Sequence, residues 1–240
     1  LYVSCSSALV ELLKKYFPHV HQYSIDEAFC RVEGTKGLWG THTAFAHQLK
    51  EEIRRELGFT VNIGVSDCKL LAKMASEFQK PDQVHTLFTR EIERKMWPLP
   101  VSDLFWVGPA TVRKLGALGI RTIGELAVMD LELLKRHLKK QGEFIWNYAN
   151  GRDGSPFLRE LPRNKGYGNS MTTPFDVTDR ETAWQVILSL TETVCARLRA
   201  DGMEAACVGI SITDREFRHG SVQTTLISAT DTTLEIYEAA

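Results

Sequence analysis

No apolar run in the sequence approaches the roughly 20 residues that a membrane-spanning helix needs, so it offers no membrane anchor. There is no C-x-x-C pair. The five cysteines, Cys5, Cys30, Cys68, Cys195 and Cys207, are scattered, with no histidine spacing suited to zinc. That excludes a zinc module or a disulfide framework and points to a reducing, cytoplasmic setting. Charge of one sign is also lacking: 29 Lys and Arg face 30 Asp and Glu, for a net charge of -1. Global electrostatics therefore draws in no partner, and a nucleic-acid binder of this balance must rely on local basic patches and backbone amides. No basic region leading to a small-residue cleavage site opens the chain. The start, LYVSCSSALVELLKKYF, enters a helical pattern almost at once, and the end, TTLEIYEAA, lies inside another. Both ends read as those of a piece of a longer chain. No internal repeat or low-complexity run is present.

What is there is ordinary for a globular protein: 240 residues, 43% hydrophobic and 25% charged, enough for two or three compact units. Leu9, Leu12, Leu13 and Tyr16 carry helical spacing over about 5–16, and Pro18 ends that helix. Phe45, Leu49, Ile53 and Leu57 mark a second helix stopped by Gly58. FTVNIGVS reads as a strand. SDCKLLAKMASEFQKP reads as a third helix, capped by Ser66 or Asp67 and closed before Pro81. This alternation predicts an α/β or α+β sheet domain to about residue 98. Short helices with glycine joints follow to about residue 162. In the last part, strand candidates at 168–173, 207–213 and 221–227 accompany one long helix bearing Trp184, Ile187, Leu188, Thr191, Val194 and Leu198 on one side. Val208, Ile210 and Ile212 are expected to face that helix, with Ser211 and Thr213 outward.

One stretch does not read as plain surface. YSIDEAF, residues 23–29, sets Asp26 and Glu27 side by side among apolar and aromatic neighbours. Ser24-Ile25-Asp26-Glu27 fits a capping box, with Ser24 as N-cap and Glu27 at N3. It also fits a site for a hard divalent cation, because two adjacent ionised acids need a compensating charge. In a straight strand they would point to opposite faces, so serving one metal requires a turn or bulge. Lys69, Lys73 and Lys80 lie in or just after the third helix; each alone reads as a solvated surface side chain.

The segment WVGPATVRKLGALGIRTIGELA predicts two short helices joined by a tight turn. Pro109 suits a first helical position, Gly119 a C′ residue, and Thr122 with Glu125 a capping box. The free amides of such a turn can take a DNA phosphate oxygen without reading bases, and Arg113, Lys114 and Arg121 add positive charge. The same segment also reads as a helical hairpin that only packs.

These stretches together carry a resemblance. YSIDEAF resembles the catalytic S-I-D-E-A-F/Y motif of the Y-family translesion DNA polymerases, the UmuC/DinB group. VNIGVSDCKLLAKMASEFQKPDQ is similar to that family's segment ending in K-P, LFWVGPATVRKLGALGIRTIGELA to its thumb, and GNSMTTPFDVTDRETA to the opening of its little finger. The matches fall in family order over nearly the whole chain.

The resemblance implies an α+β chain made of a partial palm (1–98, a mixed sheet with helices), an all-α helix-hairpin-helix thumb (99–162) and a partial little finger (163–240). It implies error-prone, template-directed nucleotidyl transfer by two Mg²⁺ ions, with Asp26 and Glu27 as metal ligands and Lys80 on the incoming triphosphate. Gly108, Gly119, Ile120, Arg121, Thr122, Ser170 and Thr172 would contact DNA. The implied partners are primer–template DNA and a deoxynucleoside triphosphate. A sliding clamp reached through a tail beyond Ala240 is a further candidate, and a membrane is not implied. Two readings compete: a non-catalytic damaged-DNA-binding relative, and a helix-hairpin-helix repair enzyme, which leaves YSIDEAF unexplained.

The sequence departs from the family at one point. The family's N-terminal D-x-D-x-F-(F/Y)-A-x-V-E motif, with its further metal-binding Asp, is not found in it. The expectation is that the 240-residue chain alone does not polymerise; Mg²⁺-dependent nucleotide incorporation by that chain in a primer-extension assay would overturn this.

Overall fold

The computed structural model describes residues 1–32, 40–157 and 164–240. They belong to two compact units, 1–161 and 162–240.

The first unit begins with helix α1 (Tyr2–Tyr16). Its Leu12 and Leu13 join Phe17 and, from helix α2 (His42–Leu57), Phe45, Leu49 and Ile53 in one apolar cluster. The four-residue spacing of those α2 side chains is what makes one face of the helix buried. Thr41 caps α2 by accepting from the Ala44 N–H at 3.2 Å, and Gly58 ends it at φ 75°, in the left-handed region that glycine adopts without strain. Strands β1 (Val20–Gln22) and β2 (Ala28–Cys30) pair antiparallel, with Gln22 opposite Ala28. The chain therefore reverses within residues 23–27.

Strand β3 (Ile63–Val65) pairs in parallel with β4 (Val84–Thr86), and helix α3 (Lys69–Glu77) connects them. The expected sheet thus appears, among the described residues, as two separate two-stranded pairs. The capping expected from Ser66 or Asp67 is not found. Cys68 occupies the N-cap position without a side-chain capping bond. Ser66 instead donates to the Leu87 carbonyl, and Asp67 accepts from the Thr89 N–H at 2.9 Å. The α3 cap comes from Asp153, which accepts from the Leu70 N–H at 3.0 Å across 83 positions.

The apolar face of α3, Leu70, Leu71, Met74 and Ala75, enters a second cluster. The cluster continues through Ile92 of α4 (Ile92–Lys95), Leu115 of α5 (Pro109–Ala117), Leu126 of α6 (Ile123–Val128), Leu134 of α7 (Leu131–Leu138) and Ile145 of α8 (Lys140–Ala149). One core therefore bridges residues 98 and 99, where the sequence suggests a boundary.

The second unit holds helix α9 (Arg180–Ala200), an antiparallel hairpin of β5 (Ala205–Thr213) and β6 (His219–Thr230), and helix α10 (Thr233–Ala239). Asp179 caps α9 by accepting from the Thr182 N–H at 2.8 Å. Cys195, Leu198 and Ile236 form its buried centre, with Val208 against them. Two expectations fail here. Residues 168–173 form no strand: the segment has no strand partner among the described residues, and its Gly168 carbonyl is held by the Arg197 guanidinium at 2.7 Å. Ile212, expected against the helix, is 61% exposed, because the small core reaches along β5 only to Val208.

Gly64 sets how closely α3 can approach β3. A Cβ there would stand 1.8 Å from the Ala72 carbonyl oxygen and 2.8 Å from the Ser76 nitrogen, both backbone atoms that cannot swing aside. Gly64→Ala is expected to destabilise the chain by about 3 kcal/mol, the upper end of the usual overpacking range, read as a lower urea midpoint.

Candidate active site

The two adjacent acids sit in the turn between β1 and β2. Tyr23 and Ser24 N–H groups both donate to the Glu27 carbonyl, at 2.8 and 3.2 Å, and the Asp26 N–H donates to Ser24 Oγ at 3.2 Å. This is a hairpin turn closed on itself, and the next element is strand β2. The capping-box reading of Ser24 and Glu27 therefore falls, since no helix starts there. The turn also lifts the opposite-face constraint of a straight strand. Asp26 is exposed, Glu27 half-buried, and both line the same cleft of about 1180 Å³. Tyr23 anchors the turn, its ring centroid 5.7 Å from that of Phe29 and 6.3 Å from that of Phe105.

Across the cleft stands the lysine row of α3. Lys73, read from the sequence as surface or local structure, is the residue that reading missed: its side chain is only 16% exposed. Its ammonium bonds the Glu27 carboxylate and also Glu77 Oε1, the latter at 2.7 Å. Glu77 in turn pairs with Lys80 at 2.6 Å. Glu27, Lys73, Glu77 and Lys80 form one chain of alternating charge. The Lys73–Glu77 and Glu77–Lys80 steps, four and three residues apart, had a local sequence signal; the step to Glu27 spans 46 positions.

The electrostatics follow from that geometry. Burial disfavours the Lys73 ammonium, but its hydrogen bonds to Glu27 and Glu77 outweigh this and hold its pKa above the ordinary 10.5. Burial likewise disfavours the Glu77 carboxylate, yet hydrogen bonds from Lys73 and Lys80 hold its pKa below the ordinary 4.5. The raised lysine contributes stability that is complete below 10.5 and lost as pH rises through its folded value. The depressed glutamate contributes stability that is complete above 4.5 and lost as pH falls through its folded value. The Lys73–Glu77 pair is thus intact between those limits.

The donor set suits a hard divalent cation in part. Asp26 and Glu27 offer carboxylate oxygens at one edge of the cleft, and the Asp26 carboxylate has no partner among the described residues. No group of three or more His, Cys, Asp or Glu side chains gathers for a metal among the described residues. Two carboxylates are enough where water and substrate phosphates complete the shell.

The residues expected at DNA are placed less simply. Gly108 is the N-cap of α5, Pro109 its first residue, and Gly119 follows the helix at φ 80°. Thr122 and Glu125 form the expected capping box. The turn amides, expected to be free, are all engaged. Gly119 N–H donates to Gly116 O and Ile120 N–H to Leu115 O, each at 3.0 Å. Ile123 and Gly124 N–H donate to Leu99 O and Trp97 O. Arg121 and Thr122 N–H both reach Glu125 Oε2, at 2.6 and 3.0 Å. Ile120 is buried. The reason is that the turn is stitched to the 97–101 segment and to its own capping glutamate.

Amides without a partner among the described residues lie instead at Gly108 and Ala110, at the other end of α5. The Arg113, Lys114 and Arg121 side chains are exposed and carry no ion pair among the described residues. In the second unit, Ser170 and Thr172 are exposed and outside any strand.

A family model described as the impB/mucB/samB family matches residues 1–77, and one for that family's C-terminal domain matches residues 164–240. DNA polymerase IV of Clostridium acetobutylicum is 43% identical over 236 residues, covering 98% of this chain and 59% of that protein. DNA polymerase IV of Moorella thermoacetica is 39% identical over 241 residues, covering 100% and 60%. The chain thus spans about three-fifths of the length of the curated relatives it matches. Among solved structures, a Y-family DNA polymerase chimera of Dbh and Dpo4 matches with a TM-score of 0.82 at 20% identity, covering 99% of this chain and 68% of that one. DinB from Sulfolobus solfataricus matches with a TM-score of 0.60 at 18% identity, covering 99% and 69%. The chain belongs to the impB/mucB/samB family, and its fold is that of the Y-family DNA polymerases.

Proposed function

We propose that this chain is part of a translesion DNA polymerase that transfers deoxynucleotides to a primer 3′-hydroxyl under template direction. The observation that carries the reading is the turn that brings Asp26 and Glu27 to one cleft edge opposite the lysines of α3, in a chain whose relatives are DNA polymerases. Residues 1–98 would act as palm, 99–162 as a helix-hairpin-helix thumb and 163–240 as little finger. The scattered thiols favour a cytoplasmic site of action.

Asp26 and Glu27 would hold Mg²⁺, which when bound supplies Lewis acidity toward the primer hydroxyl and the triphosphate. The chain's own residues do the rest by position and charge. Lys73 sets its ammonium against Glu27, which offsets the repulsion between the two adjacent acids. Lys80, 53% exposed at the cleft, presents a compact ammonium to the triphosphate. On the DNA side, the Gly108 and Ala110 amides and the Arg113, Lys114 and Arg121 cations would meet backbone phosphates, which fixes register without reading sequence. The satisfied amides of 119–124 leave that turn a structural role, with the Arg121 side chain as its contact. Ser170 and Thr172 offer hydroxyls for a further phosphate contact.

The test is single-nucleotide primer extension by the full-length protein. Asp26→Ala and Glu27→Ala are each expected to reduce Mg²⁺-dependent extension by about 10³-fold, the scale for removing preorganised charge at a reacting centre, with primer–template affinity retained. Binding without extension by the unsubstituted protein would overturn the polymerase reading in favour of a DNA-binding relative.

A further inference from the structure

Lys80 ends a helix overhang and is followed by Pro81 and Asp82. Among the described residues its side chain is held by Glu77 alone, so where its ammonium stands depends on the backbone of this turn. Asp82 lies at φ 59°, in the left-handed region that a non-glycine residue occupies only when its surroundings insist. Side chains of α2 hold it. Lys50, on α2, is 11% exposed, and its ammonium donates to the Asp82 carbonyl at 3.1 Å and pairs with Asp82 Oδ2 at 3.1 Å. Its third partner is Glu51, also at 3.1 Å. Arg54, one turn further along α2, stands 3.8 Å from the same Asp82 oxygen. From the other side, the Gln83 N–H donates to Asn62 Oδ1 at 3.0 Å.

Lysine is seldom this buried without a specific partner, and an apolar side chain would fill the space at lower desolvation cost. An ammonium there does what an apolar group cannot: it grips the backbone and the carboxylate of one residue together.

We propose that Lys50 is a positioning residue for nucleotide binding: it clamps the 80–82 turn to α2 and thereby fixes the Lys80 ammonium where a triphosphate is bound. The inference rests on the reading of Lys80 given above. It locates control over substrate binding on a helix whose side chain never touches the substrate.

The experiment measures deoxynucleotide KM and kcat for the full-length protein in single-nucleotide extension, with thermal midpoint and primer–template Kd alongside. Lys50→Met is expected to raise KM on the order of tenfold, as for a displaced binding group, with kcat and DNA affinity close to the unsubstituted protein. Lys80→Ala is expected to raise KM similarly, and the double substitution to add little, since both act through one group. Should Lys50→Met not fold, Asp82→Asn decides, because Asn tolerates the positive φ and loses the ion pair; the same KM rise is expected. An unchanged KM in Lys50→Met, or in Asp82→Asn where that variant decides, beside a raised one in Lys80→Ala overturns the clamp alone. An unchanged KM in Lys80→Ala overturns the reading of Lys80 itself.

Discussion

A helix can lie against a strand at backbone distance only where the strand has no side chain, and Gly64 provides that place. The contact between α3 and β3 decides how far the lysines of α3 stand from the β1–β2 turn. With a methyl group in the way, the backbone at Ala72 and Ser76, which flanks Lys73, would have to shift. Everything electrostatic in the cleft is downstream of this steric allowance. The alternating charges run from Glu27 to Lys80: Glu27 is engaged by Lys73, while the Asp26 carboxylate has no partner among the described residues.

Much of this was legible in the residues. The helix with Phe45, Leu49 and Ile53 on one face, stopped by Gly58, follows from spacing and from the backbone freedom of glycine. So do the Pro109 start and the Thr122–Glu125 box, because caps and periodicity are local. YSIDEAF announced an unusual site, and the turn that a shared metal would need is there. What local pattern could not give were contacts closed over long separations. Nothing near Leu70 says that Asp153 caps it, and nothing near Lys73 says that Glu27 is its partner. The strand expected at 168–173 shows the converse. Residues with acceptable strand composition form none without a neighbouring strand, since a ladder needs two sides.

The helical hairpin shows why a motif should be followed to its hydrogen bonds. Its residue pattern suggests amides waiting for phosphate, yet seven of its backbone N–H groups, from Gly119 to Glu125, are taken by protein acceptors. Glu125 illustrates the logic. Accepting from the Arg121 and Thr122 N–H groups lowers its pKa, so it stays ionised where a phosphate would otherwise have been welcome. The turn's amides are engaged, and the ones without a partner among the described residues lie at the Gly108 end of α5.

The cap on α3 has a temporal consequence. The helix start at Leu70 gains its acceptor only from a residue 83 positions later. On a ribosome, a chain that has emerged as far as β4 already contains the whole of α3, but its first turn has exposed, unanswered N–H groups. That turn should fray and reform until the segment carrying Asp153 arrives. Since the same helix aligns Lys69, Lys73 and the approach to Lys80, the charged wall of the cleft is among the last features of the first unit to become permanent during synthesis.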